Sequence, residues 1–148
     1  NQQVFVNLSR WIDNVFDSIW QSPQELNLAF ETRRTAQEQE ELQKRGKVIN
    51  LGVTSPENQA VILLISVNQE ADERMGVRIQ LYPQGNQRYL PSNLTLTLCN
   101  ESGDTIKSVQ SRSQDNYIQI KRFKCQRGFQ FGVKLTLEDW SVTEYFIV

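Results

Sequence analysis

The chain contains no histidine. That absence removes imidazole from every catalytic role: no Ser–His–Asp or Cys–His nucleophile system, no His-ligated zinc, and no ordinary proton shuttle near neutral pH. Cysteine is scarce as well. Cys99 and Cys125 are too few for a disulfide framework. They read as free thiols in a reducing compartment unless the fold brings their Cα atoms within about 7 Å. No apolar run approaches the ~20 residues that span a bilayer, and no signal peptide is visible. A net charge of −1 exerts no global pull toward nucleic acid or anionic lipid. Metal-ligand spacing, a glycine-rich phosphate loop and a nucleophile elbow are all missing. The paired carboxylates Asp72–Glu73 and Glu138–Asp139 are adjacent in sequence. On a strand such neighbours point to opposite faces, which makes poor acid/base dyads. No metal or cofactor is expected. The chain begins with Asn1 and its only methionine is Met75, which suggests a fragment or a processed product.

What is present suits one domain with a substantial core: 148 residues, of which 39% are apolar. Its centre is the run Ala60-Val61-Ile62-Leu63-Leu64-Ile65-Ser66-Val67. Strand side chains alternate between faces, so a strand apolar on both faces must be covered on both. The next run alternates, with Val77, Ile79 and Leu81 facing inward and Arg78, Gln80 and Tyr82 facing a wet side. From residue 47 onward, short apolar runs alternate with turn residues. Leu94, Leu96 and Leu98 point inward; a glycine-bearing hairpin loop follows over residues 100–104; Ile106 and Val109 break the period of two and predict a bulge. Residues 117–121, 129–138 and 140–148 complete about eight strands, the pattern of an antiparallel β-sandwich or barrel.

Residues 1–46 read as helical. Leu8, Trp11, Ile12, Val15, Phe16, Ile19 and Trp20 recur at spacings of three and four, the stripe of an amphipathic helix over residues 7–20. Such a stripe is expected to cover the outer face of the doubly apolar strand, or else to dock a partner. Ser22-Pro23-Gln24-Glu25 has the form of a capping box opening a second helix. A third, solvated helix is expected over residues 35–45, stopped by Gly46. The expected architecture is therefore α+β and mainly β. Residues 1–46 form a helical segment on one face of a β-sandwich of residues 47–148, the two making one compact unit.

Several stretches together resemble a known family: Val6-Asn7-Leu8-Ser9-Arg10-Trp11, Val77-Arg78-Ile79-Gln80-Leu81-Tyr82-Pro83, Tyr89-Leu90-Pro91 and the long string Ser111–Phe123. They are similar to the C-terminal region of the cyanobacterial domain of unknown function 1822. That resemblance implies a bacterial, cytoplasmic protein with a longer parent chain, and no activity or site residues.

Residues 105–134 concentrate positive charge: Lys107, Arg112, Lys121, Arg122, Lys124, Arg127 and Lys134 against Asp115, with Tyr117 and Phe123 interleaved. Basic strands with aromatics can hold single-stranded nucleic acid, although neither a basic domain nor a nucleic-acid motif supports that here. Outward strand residues balanced by acids elsewhere are the simpler reading. Arg112 and Asp115 suggest a buried hydrogen-bonded corner, with Tyr117 bonding to nearby backbone, in preference to a ligand site. The candidate interaction surface comprises Trp11, Trp20, Arg112, Tyr117, Lys121, Arg122, Lys124 and Arg127. The function expected is a non-enzymatic interaction or regulatory module with a protein partner or neighbouring domain. Small-molecule or nucleic-acid binding through residues 105–134 is the alternative.

Overall fold

The computed structural model describes residues 4–26, 43–51, 60–85 and 87–148. Among these residues, nine strands fall into two sheets. The first holds β1 (Phe5–Asn7), β5 (Thr95–Asn100), β6 (Thr105–Gln110), β8 (Gln130–Leu137) and β9 (Trp140–Ile147), in the order β1-β9-β8-β5-β6. The second holds β2 (Gln43–Asn50), β3 (Ala60–Gln69), β4 (Met75–Pro83) and β7 (Ile118–Cys125), in the order β2-β3-β4-β7. All pairings are antiparallel except β1 with β9, which is parallel. No helix among the described residues is long and apolar enough to cross a membrane.

The alternating runs place their apolar positions in one continuous core. Val61, Leu63, Ile65 and Val67 of β3 meet Val77, Ile79 and Leu81 of β4 across the register Leu63↔Leu81, Ile65↔Ile79 and Val67↔Val77. The first sheet adds Leu96 and Leu98 from β5 with Phe131, Val133 and Leu135 from β8. Phe131 stacks on Phe146 at 5.2 Å between centroids and meets Phe123 of the opposite sheet edge-on at 5.7 Å. The predicted bulge is there: β5 and β6 shift register between Leu98↔Lys107 and Cys99↔Thr105, which leaves Ile106 without an opposite residue. The hairpin loop turns on Gly103 at φ +89°.

β3 is buried on both faces from Ala60 to Asn68, as its composition requires. The face of β4 expected to be wet is drier than that. Gln80 is buried, and its amide donates to Gln119 Oε1 at 3.2 Å. Part of the cover comes from Leu26: a Cβ placed on Gly46 would lie 2.5 Å from Leu26 Cδ1 and 3.0 Å from Ile62 Cγ2. Glycine at 46 is what lets that leucine reach the outer face.

Among the described residues the expected N-terminal helices are not found. The only helix among the described residues is α1 (Ser9–Ile12), four residues long. Asn14 takes the left-handed conformation at φ 62°, while Asn14 N–H donates to Trp11 O and Val15 N–H to Arg10 O, each at 3.0 Å. These are the paired bonds of a Schellman stop, with asparagine in the place glycine usually fills. The apolar stripe is consequently split. Leu8, Trp11 and Trp20 enter the core, Ile12 and Phe16 pack against it, and Val15 and Ile19 are exposed. The tryptophans do not cover the outer face of β3. They fill the edge of the inter-sheet core, where Trp11 meets Trp20 at 5.5 Å and Trp20 meets Phe146 edge-on at 5.6 Å.

The capping box does form. Ser22 N–H donates to Glu25 Oε1 at 2.9 Å and Glu25 N–H to Ser22 Oγ at 3.3 Å. The helix expected beyond it lies mostly outside the described residues, as does the start of the third. The end of that third helix is overturned: Gln43 to Gly46 are strand, paired with Val67 to Leu64 of β3. Continuous pairing with β3, from Gln43↔Val67 to Asn50↔Ala60, explains this. The residues of β2 can bond to β3, whereas the helical i, i+4 charge pairs contribute only about 0.2–0.5 kcal/mol each. The expected boundary between residues 46 and 47 falls within β2, and β1 also comes from the segment read as helical.

Candidate interaction groove between beta6 and beta7

β6 and β7 are the edge strands of their two sheets, and consecutive in the chain. Residues 111–117 carry the chain from one sheet to the other around a hydrogen-bonded corner. Its buried anchor is Ser111: Leu94 N–H donates to Ser111 Oγ and Ser111 N–H to Leu94 O, each at 2.9 Å, and Ser111 Oγ donates to Pro91 O. The corner expected at Arg112 and Asp115 exists, but on the exposed rim. Arg112 N–H donates to Asp115 Oδ2 at 2.8 Å, and this bond above all holds that carboxyl below its ordinary range. The arginine side chain itself is 86% exposed. Tyr117 stacks on Tyr82 of the second sheet at 5.4 Å and 16°.

At the far end of the same two strands, where β6 begins and β7 ends, lies a groove of about 630 Å³. Its floor is apolar, built from Leu98, Ile106, Phe123 and Phe129. Its rim carries Arg74, Lys107, Lys124 and Arg127, and among the described residues no carboxylate lines it. Each contributor has a local cause. The bulge turns Ile106 outward, where it is 45% exposed. Arg74 closes the β3–β4 turn, held by Asp72, whose carboxyl its guanidinium in turn keeps below the usual range. Arg127 sits in the turn that Gly128 makes at φ +94°. Cys125 lies alongside as a buried free thiol, and burial pushes its pKa up to about 11. A thiol so displaced is protonated at neutral pH and is a poor nucleophile.

A second polar cluster lies on the outer face of β3, β4 and β7. Glu70 accepts from Asn68 Nδ2 and pairs with Arg122, and Lys124 Nζ stands 3.4 Å from its other oxygen. The Asn68 bond comes first, with the two cations, in holding the Glu70 carboxyl below 4.5. Gly76 makes room: a Cβ there would meet Arg122 Nη2 and Asn68 Oδ1 at 2.5 Å.

The structure therefore separates the residues that the sequence grouped. Trp11 and Trp20 are each 1% exposed and belong to the core. Arg112 and Tyr117 lie at the crossover, Arg122 is committed to Glu70, and Lys121 is exposed on β7. Only Lys124 and Arg127 of that set line the groove, joined by Lys107. Arg74 and Phe129 escaped sequence reasoning. Arg74 sits in a polar connector remote from the basic strands, and Phe129 looked like one more inward residue of an alternating strand. The break in periodicity at Ile106 was the one legible signal.

Among the described residues, no group of histidine, cysteine and carboxylate side chains could hold a metal. Every carboxylate of the described residues with a displaced titration, Glu25, Glu70, Asp72 and Asp115, is shifted downward, chiefly by hydrogen bonds from Ser22, Asn68, Arg74 and Arg112 respectively. Such acids stay ionised at neutral pH, the opposite of what a general acid needs. No curated protein and no solved structure matches the chain. A family model described as protein of unknown function, DUF1822, matches residues 1–147, and the chain belongs to that family.

Proposed function

We propose that this DUF1822 member is a non-enzymatic interaction module of a larger bacterial protein, with the β6–β7 groove as its contact surface. One observation carries the reading: an apolar groove between two sheet edges, with Ile106 exposed in it and cations on its rim, among described residues whose large apolar side chains are mostly buried. Exposed apolar surface of this kind, rimmed by polar groups, marks interaction sites. In keeping with the family resemblance, we place it in a cyanobacterial cytoplasm. The downward-shifted acids and the protonated Cys125 thiol agree with a role that requires no chemistry.

The groove could serve a small molecule instead, since about 630 Å³ is within the usual range for ligand pockets. A nucleic-acid track draws less support. It needs a continuous run of cations and aromatics, whereas Arg112, Arg122 and Lys107 lie in three separate settings and Tyr117 is stacked on Tyr82.

The test is site-specific photo-crosslinking in the cell that makes the protein, with the probe at Ile106 and, as control, at exposed Ser141 on β9. The expected result is an adduct of defined mass formed at Ile106 only and lost when Lys107 and Arg127 are both changed to Glu. Equal adducts at the two positions, or none at Ile106, would overturn the proposal.

A further inference from the structure

The geometry points to an extended acidic segment of a partner protein as the occupant of the groove. Its apolar side chains would rest on Leu98, Ile106 and Phe123, and its backbone would run along the free edge of β6. This rests on the interaction reading above and adds the chemistry of the partner.

Charge is the first argument. Four cations surround a site that no carboxylate of the described residues lines, while the whole chain carries −1, so the positive field is local. Arg74 and Lys124 are already answered by Asp72 and Glu70. Lys107 and Arg127 have no ion pair among the described residues, so an incoming carboxylate would displace nothing to reach them. Complementary charge of this sort raises association rate and selects partners.

The strand edge is the second. β6 pairs with β5 on one side, and among the described residues no strand pairs on the other. All six of its residues except Val109 are exposed. An extended peptide can take up those backbone groups as an added strand, which a lipid or a free anion cannot do. A second copy of this chain is disfavoured at the same edge. It would bring Lys107 and its neighbouring cations against their own kind, and the bulge at Ile106 distorts the register. An acidic strand with bulky apolar residues at alternate positions meets each of these conditions.

The test uses fluorescence anisotropy with labelled synthetic peptides: one alternating Glu with Leu and Phe, one with Lys for Glu, one with Ser for the apolar residues, and one with alternate backbone nitrogens methylated. Dodecanoate serves as a competitor. The acidic–apolar peptide is expected to bind in a salt-sensitive manner, and the other three to bind roughly tenfold or more weakly. Lys107→Glu with Arg127→Glu should weaken the acidic–apolar peptide by a similar factor, with thermal unfolding unchanged as the control for folding. Equal binding of the acidic and basic peptides would overturn the charge assignment, and equal binding of the methylated peptide would overturn strand addition. Dodecanoate binding in the groove without peptide binding would make the site one for amphipathic small molecules. If no peptide binds while the Ile106 crosslink forms, this inference fails and the interaction reading stands. If the crosslink is also absent, both fail.

Discussion

The two open sides of the sandwich are treated in opposite ways. On the side of β1, β9 and β2, the gap between the sheets is filled: Trp11 and Trp20 enter it, Phe16 packs beside Trp11, and the Arg45 guanidinium lies 3.8 Å over the Phe16 ring. Lys47 of β2 then reaches Glu144 of β9 at 2.8 Å and ties one sheet to the other. On the side of β6 and β7, the floor is also apolar, but among the described residues nothing of comparable size fills it, and Lys107 and Arg127 have no ion pair there. A sandwich must stop somewhere, and each edge exposes both backbone groups and the margin of the core. One edge here is closed with the largest side chains in the chain; the other is left with the composition of a binding surface.

That contrast is sharpest in stability. Trp20→Ala should cost about 3–5 kcal/mol in chemical denaturation, because it empties the packed edge against Trp11 and Phe146. Trp20→Phe should cost clearly less, since the indole Nε1 is buried without a hydrogen-bond partner and phenylalanine leaves no such group unsatisfied. Equal losses for the two variants would mean that the ring area is not what closes this edge.

The Glu70 cluster stands between the two edges and responds to pH. Its folded carboxyl titrates below the ordinary 4.5, so it stabilises the fold above that value, and this contribution disappears as pH falls through the lower folded pKa. Glu70→Gln should therefore be less stable at about pH 7, because Arg122 loses its anion, yet show a smaller further loss on going to about pH 3. Parallel stability curves for the two proteins would contradict the assignment.

The smallest effect is expected at the open edge. Ile106→Ser should change unfolding free energy by no more than about 0.5 kcal/mol, since the side chain is already 45% exposed. A loss of several times that would show the groove to be part of the core and not a surface held for something else.

Strand-level organisation was largely legible. Alternation at 77–81, 94–98 and 129–137 assigned the inward residues, and the doubly apolar run at 60–67 demanded two covers, because side-chain direction on a strand follows from local backbone geometry. The broken period at Ile106 even located the bulge. The N-terminal region was misread for an equally local reason. Its spacing satisfies a helix, but Asn14 can adopt the left-handed conformation, and parallel pairing of β1 with β9 together with burial of two indoles outweighs a lone helical stripe. As for the groove, its basic residues were visible as a composition, but not their distribution.

The order of residues alone determined that this protein is mainly β, that β3 is sealed on both sides, and that imidazole chemistry is excluded, since each depends on side-chain type and on a period of two. Only the tertiary structure decided that tryptophan would close one edge and that Arg74, Lys107, Lys124 and Arg127 would meet at the other. Arg74, Lys107 and the Lys124–Arg127 segment are far apart in the chain, and sheet order, which arises from long-range pairing, is what makes them neighbours.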